Sequence, residues 1–294
     1  MSNSINWQNP YDCCGNLWLK GNLHVHTTRS EDGKIPLDEV IKLYENMDYS
    51  FIALTDHNTI TDPTIYDSSI SLLAGIEVDI ENANHTCIIN PDKTEIIVEN
   101  FHSHQDLLNK NYNKGNLVVL NHPDFGIKGH YTIKYLNNME SFTGIEIYNS
   151  KIEVEDGSPV STAKWDSLLS LGKMILGFAS QDLHDETDLK DCCNVVKVQT
   201  KDIKVIFNAL RKGNFYCFYG VEITDIGRDK NTIYVNSSNA DLIRFLGSGG
   251  RILKEVHGKK AKINFLDEAK YKYIRVECLG HGKDISWSQP FFRD

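Results

Sequence analysis

Short apolar runs alternate with amphipathic stretches through the first two thirds of the chain, and ionisable residues follow most of the runs. Leu17 to His26 reads as a strand, with His24 and His26 on one face and Leu23 and Val25 on the other. Pro36 to Tyr49 predicts a helix: Leu37, Val40, Ile41, Tyr44 and Met47 share one face, and proline suits the first turn. Phe51 to Leu54 is the continuous apolar run of a buried parallel strand, ending in Thr55-Asp56-His57-Asn58. Leu72 to Ile80 reads as a strand with Glu77 inside it, and Thr86 to Ile89 as another with His85 just before it. A helix over Gln105 to Asn113 precedes the strand Leu117 to Leu120, which stops at Asn121-His122-Pro123 because proline cannot continue the ladder. Gly144 to Tyr148 is a strand holding Glu146, and Ser161 to Leu171 a capped helix. Lys173 to Ala179 is a strand running into Ser180-Gln181-Asp182-Leu183-His184. Val195 to Val198 reads as the last inner strand, and Asp202 to Lys212 as the last helix, closed by Gly213. This alternation predicts a parallel α/β architecture with its ionisable residues gathered at one end of the strands.

The texture changes after about residue 215. Phe215 to Tyr219, Thr232 to Asn236, Ile243 to Leu246, Lys262 to Phe265 and Tyr271 to Leu279 are short strands with no helix between them. We therefore expect a larger α/β unit over residues 1–215 and a small antiparallel β module over 216–294, tightly packed because no low-complexity linker joins them. Gly247-Ser248-Gly249-Gly250 has no following helix to complete a phosphate loop and reads as a hairpin turn.

Composition narrows the function. A net charge of -9 argues against a general nucleic-acid binder or a partner of anionic membranes, though an anionic substrate stays compatible if cations are bound. The seven cysteines include two vicinal pairs (Cys13-Cys14 and Cys192-Cys193) and no Cys-x-x-Cys, a poor framework for disulfides or structural zinc. No secretory signal pattern opens the chain, and no run approaches the roughly 18 apolar residues of a membrane span. A reducing, cytoplasmic location is the expectation.

The candidate chemistry lies in nine residues: His24, His26, Asp32, His57, Glu77, His85, His122, Asp182 and His184. A lone His-x-His is equally consistent with a half-exposed strand. Nine imidazoles and carboxylates at successive strand ends exceed what one zinc needs and suit two or three ions sharing a carboxylate. Glu77 is the natural bridge, and Asp182 and His184 repeat the same-face spacing of the first pair. Glu31 competes with Asp32, which is preferred because it directly precedes Gly33. Asp56 reads as an orienting partner of a ligand or as a turn cap, and Arg29 as a phosphate contact or an exposed salt bridge. Glu146 and Asn149 read as substrate contacts or as a carboxylate bonded to a neighbouring loop. His102, His104, His130, His257 and His281 fall outside the pattern and read as surface residues, with His130 the exception to watch because it shares a loop with His122.

Leu23-His24-Val25-His26-Thr27, Ser30-Glu31-Asp32-Gly33, Leu54-Thr55-Asp56-His57-Asn58, Gly75-Ile76-Glu77, Asn121-His122-Pro123 and Asp182-Leu183-His184 resemble, in order and spacing, the motifs of the PHP (polymerase and histidinol phosphatase) family. The likeness spans roughly residues 17 to 215. It implies a distorted (β/α)7 barrel with a metal cluster, commonly trinuclear, at the carboxyl ends of the strands, and cleavage of phosphate esters by metal-activated hydroxide. It also implies that one ion takes His24, His26 and Asp182 with Glu77 shared, a second Asp32, His57 and His184, and a third Glu77, His85 and His122. The residues after 215 are similar to the β module of PHP-type metallohydrolases grouped with carbamate-hydrolysing enzymes.

The expectation is thus a metal-dependent phosphoesterase that binds two or three divalent ions (manganese, iron or zinc) and hydrolyses a small phosphorylated metabolite or nucleotide. No serine or cysteine nucleophile is needed, because neighbouring cations offset the repulsion between an attacking anion and a charged phosphate. Hydrolysis of a carbamate or amide bond, and a metal-binding module without turnover, are the alternatives. Neither membrane nor general nucleic-acid partners are expected, and the oligomeric state is not legible.

Overall fold

A computed structural model of the protein describes residues 7–12, 15–80, 84–265 and 270–293. After a short strand β1 (Trp7–Gln8), β2 (Leu17–Asn22), α1 (Leu37–Asn46), β3 (Phe51–Leu54), β4 (Ser71–Ile80), β5 (Asn84–Asn90), α2 (His104–Lys114), β6 (Leu117–Leu120), α3 (Ile133–Asn138), β7 (Gly144–Asn149), α4 (Thr162–Ser170) and β8 (Leu176–Ser180) follow in turn. From β2 to β8 each strand pairs with the next; the pairs β4–β5 and β5–β6 are antiparallel and the others parallel. Both faces of this sheet are covered. Along β3, Phe51 and Ala53 join one apolar cluster and Ile52 and Leu54 another, which is why the run is apolar without alternation.

The mixed α/β fold is the one the sequence predicts, but no backbone ladder closes β8 onto β2 into a barrel among the described residues. Side chains bridge the seam instead. The Asn194 amide accepts from Ala179 N at 3.1 Å and donates to Ala179 O at 2.8 Å. Gln289 does the same for Gly177, at 3.0 and 2.7 Å. Each amide presents the donor and acceptor that a neighbouring strand would have supplied. Beyond the strand ends, an isolated parallel bridge joins Val25 to Leu183, with His26 N donating to Leu183 O at 2.9 Å.

The strand expected to be the last inner one, β9 (Cys192–Val198), runs antiparallel to β2 outside the β2–β8 series. The helix α5 (Ile203–Lys212) returns the chain to β10 (Phe215–Tyr219), which pairs with β9. Then come β11 (Ile223–Asp229), β12 (Thr232–Ser237), β13 (Leu242–Gly247), β14 (Arg251–His257), β15 (Lys260–Asn264), β16 (Tyr273–Leu279), β17 (Ile285–Ser288) and β18 (Phe291–Arg293). β11, β12 and β15 form a small antiparallel sheet of their own, while the other strands extend the main sheet across residue 215. The glycine-rich segment is the β13–β14 hairpin connection, as expected, with Gly249 and Gly250 at φ of 72° and 69°.

Local differences have physical reasons. The β2 ladder stops at Asn22, and residues 23–26 continue outside it, held by Thr55 N on Val25 O at 3.0 Å. Ser161 occupies the N-cap of α4 without a side-chain cap bond, so that helix is not capped as expected. The unforeseen α3 is too short to show a period, and it is started by the Thr132 hydroxyl accepting from Tyr135 N. β14 was unforeseen because neither of its faces is buried. The described cysteines are free and buried, consistent with the absence of a disulfide framework; Cys13 and Cys14 lie outside the described residues. No described helix is long and apolar enough to cross a membrane.

Candidate metal centre

All nine sequence-derived residues converge at one end of β2–β8. Glu77, 1% exposed near the end of β4, is their centre. Its Oε2 lies 3.0 Å from His24 Nε2, 3.1 Å from His26 Nε2 and 3.3 Å from His57 Nε2. Its Oε1 is 3.3 Å from both His85 Nδ1 and His122 Nε2. Asp182 Oδ1 approaches the same His24 and His26 nitrogens at 3.2 and 3.3 Å. On the solvent side Asp32 Oδ2 meets His184 Nε2 at 3.0 Å and His57 Nε2 at 3.4 Å. The candidate ligand atoms of His24, His26, Glu77 and Asp182 lie within 4.8 Å of one another, as do those of His26, Asp32, His57 and His184, and those of His57, Glu77 and His85.

A second layer of contacts aims these atoms inward. Glu146 Oε1 takes His24 Nδ1 at 2.8 Å, which turns Nε2 toward Glu77 and Asp182. Its Oε2 accepts from His122 N at 2.7 Å and from the Asn149 amide, while Ser180 Oγ donates to Oε1. Glu146 is thus a buried carboxylate bonded to neighbouring segments, one of its two expected readings. Asn121 donates to Glu77 Oε1 at 2.6 Å, Asp79 Oδ1 takes His57 Nδ1 at 2.6 Å, and Ser30 Oγ meets His26 Nδ1 at 3.1 Å. Asp56 braces the turn by accepting from Thr27 N at 2.7 Å and from Ser30 Oγ, the turn-capping role of the two expected, and among the described residues its carboxylate bonds none of the nine directly. Asp79, Asn121 and Ser30 went unnoticed in the sequence. Asp79 had a signal, since period two puts it on the face of Glu77.

This geometry calls for positive charge. Burial pulls His24 down, yet the Asp182 and Glu77 carboxylates hold it well above its ordinary value. Burial likewise opposes protonation of His57, but Asp32, Glu77 and Asp79 push it up to about 9. Burial would raise Glu77; His24, His122 and His26 instead keep it well below the usual carboxylate range. His26 Nε2 and Asp182 Oδ1 are buried with no hydrogen-bond partner, although they are 3.3 Å apart. Buried polar atoms are ordinarily paired. Two orphans facing each other across an imidazole and carboxylate cluster fit a divalent transition metal. Two of the converging residues also hold uncommon backbone, His122 at φ 31° and Asp182 at φ 55°. Such conformations cost on the order of 1–3 kcal/mol each and persist where the surroundings fix them.

Residues 22–154 match the family model of the PHP domain. The chain carries a PHP domain. The chain is also similar over its whole length to a solved two-domain protein from Bacteroides vulgatus described as containing a predicted PHP-like metal-dependent phosphoesterase. That match has 15% identity, covers 99% of each chain and has a TM-score of 0.51, a likeness of fold. An amidohydrolase from Chromobacterium violaceum matches at 14% identity, over 57% of this chain and 89% of that one, with a TM-score of 0.43. None of the curated proteins matches.

Around this cluster, the remaining histidines divide. His130 Nδ1 lies 3.1 Å from His122 Nδ1, and burial together with His122 and His85 pulls it down to about 3. His102, His257 and His281 are exposed as expected. His104 is not a surface residue: it is 6% exposed, bonds Thr86 Oγ1 and the Tyr135 hydroxyl, and burial lowers it to about 4. Arg29 forms no salt bridge among the described residues; it donates to the Tyr66 hydroxyl at 2.6 Å.

Proposed function

We propose that this PHP chain is a metal-dependent phosphoesterase that hydrolyses a small phosphorylated metabolite or nucleotide. The observation that carries the reading is the pair of orphaned atoms, His26 Nε2 and Asp182 Oδ1, inside a ring of imidazole nitrogens with Glu77 shared between its two halves. In this reading His24, His26, Asp182 and Glu77 hold one ion, Asp32, His57 and His184 a second, and Glu77, His85 and His122 a third. When bound, such ions acidify water and offset negative charge on a phosphoryl group. The chain's own residues do the positioning. Glu146 keeps His24 in the tautomer that presents Nε2, and Asp79 does the same for His57. Lys151 is the lysine lining the small cavity over the cluster. Its ammonium rests 3.1 Å from Asp188 Oδ2, within reach of an anion entering beside it. Hydrolysis forms a bond from water oxygen to phosphorus, breaks the bond from phosphorus to the leaving oxygen, and returns a proton to that oxygen.

Purified without chelator, the protein is expected to hold more than one equivalent of transition metal, and His57→Ala to hold less. Elemental analysis decides; a folded preparation that stays metal-free with added manganese, iron and zinc removes the cluster reading. Metal-loaded protein is then offered nitrophenyl phosphate and matched carbamate esters. Release of phosphate supports the proposal, and cleavage of carbamate alone replaces it with the non-phosphate hydrolase. Lys151→Met is expected to raise KM for a phosphate ester about tenfold, the scale of one charged hydrogen bond, with a smaller effect on kcat. An unchanged KM takes Lys151 out of the anion site.

A further inference from the structure

Polar side chains from β5, from the start of α2 and from the segment that leads into α3 meet beside the metal centre, outside the nine candidate ligands. Tyr131 is fully buried, with its hydroxyl 2.6 Å from the carbonyl oxygen of His85 and 3.3 Å from Thr86 Oγ1. Thr86 Oγ1 is 2.8 Å from His104 Nε2, and His104 Nδ1 is 2.9 Å from the Tyr135 hydroxyl. Tyr135 is half-buried, so this relay runs from near the surface to the backbone of a candidate ligand.

The last member fixes the direction of the others. A carbonyl oxygen only accepts, so the Tyr131 hydroxyl gives its one proton to His85 O. Thr86 must then donate to Tyr131 and, with its own proton used, accept from His104 Nε2–H. Burial pulls His104 down to about 4, so the neutral ring carries a single N–H. That N–H is the one on Nε2, which leaves Nδ1 to accept from Tyr135. Removing any member leaves a buried partner unpaired.

His85 needs such support. Its Nδ1 faces Glu77 Oε1 at 3.3 Å, but its Nε2 lies 3.8 Å from Asp79 Oδ1, too long for a hydrogen bond. The ring therefore lacks the short carboxylate contact that Glu146 gives His24 and Asp79 gives His57. Its backbone is held instead, and Asn121 N donates to the same carbonyl at 3.0 Å.

We propose that His104, Thr86 and Tyr131 are positioning residues that hold His85 toward a third ion through its backbone carbonyl. This rests on the three-ion form of the proposed function and is independent of which bond is hydrolysed.

The test titrates the full-length protein, freed of metal, with manganese(II) alone and follows the stepwise binding by calorimetry. The binding step that disappears in His85→Ala identifies the third ion. Tyr131→Phe removes one hydroxyl and keeps the ring. It is expected to weaken the third step about tenfold, the lower end for a group that supports a metal ligand, and to leave the other steps unchanged. His104→Leu is expected to do the same. In the His85→Ala background, Tyr131→Phe is expected to leave the remaining steps as they are, which a general loosening of the fold would not. A third step unchanged in Tyr131→Phe, an equal loss in every step, or a loss that persists without His85 overturns the relay. So does a wild-type protein with no binding step that depends on His85. Phosphate release from nitrophenyl phosphate is measured in parallel. The expected metal pattern without phosphate release keeps the relay and discards the phosphoesterase reading. Phosphate release with an unchanged third step does the reverse.

Discussion

Glu77→Gln is expected to lower turnover at least about a hundredfold, the scale seen when a preorganised electrostatic group is lost from an active site. The substitution keeps the shape of the side chain and removes one buried negative charge. That charge has five imidazoles within 3.3 Å, on both oxygens, so no other single residue touches as much of the cluster. Asp182 cannot replace it. Its Oδ1 serves His24 and His26, while its Oδ2 is held by Asn149 at 3.1 Å. The glutamine amide can still meet Asn121, so folding is expected to survive, and bound metal to fall by at least one equivalent. Steady-state kinetics at saturating metal, with metal analysis of the same sample, check this. Near-normal turnover would mean that Glu77 is not a ligand.

His184→Ala is expected to abolish hydrolysis, with exposed histidines as internal controls. His184 Nδ1 bonds Asp182 O at 2.9 Å, which leaves Nε2 facing Asp32. Its removal takes one candidate ligand from the outer ion and leaves Asp32 with His57 alone. Thermal stability of the metal-free protein should move little. His102→Ala and His257→Ala, both at exposed positions, should cost less than about half a kcal/mol and leave activity intact. His104 is unsuitable as a control because it is buried against Thr86. His85→Ala is the intermediate case. Loss of one metal with partial activity supports a third ion at Glu77, His85 and His122, whereas unchanged metal and rate reduce the site to two ions.

Most of the ring of candidate ligands was legible because its members sit beside apolar runs; His85 precedes its run and Asp32 lies in a turn. His24 and His26 share a face as a period of two expects, although both lie past the end of β2, whereas Asp182 leaves extended backbone at φ 55°. The groups that aim them were not legible, because their partners are far away in sequence. Glu146 and His24 are 122 residues apart, and no local pattern distinguishes an orienting carboxylate from one that meets substrate. His104 misled for the same reason, since its hydroxyl partners come from β5 and α3. Among the strands, β3 and β6 were read to the residue because burial on both faces leaves an unbroken apolar run. β14 offered no such run.

The side-chain seam beside β8 bears on where this chain can be divided. Gln289 sits five residues from the end of the chain, yet it satisfies both backbone groups of Gly177 near the start of β8. A fragment ending near residue 215 would keep Asn194 and lose Gln289, baring a donor and an acceptor on the apolar edge of β8. Such an edge is a template for strand addition from a second molecule. The shortened protein is therefore expected to self-associate, and the last strands act as an edge guard for the unit that carries the candidate metal-ligating residues.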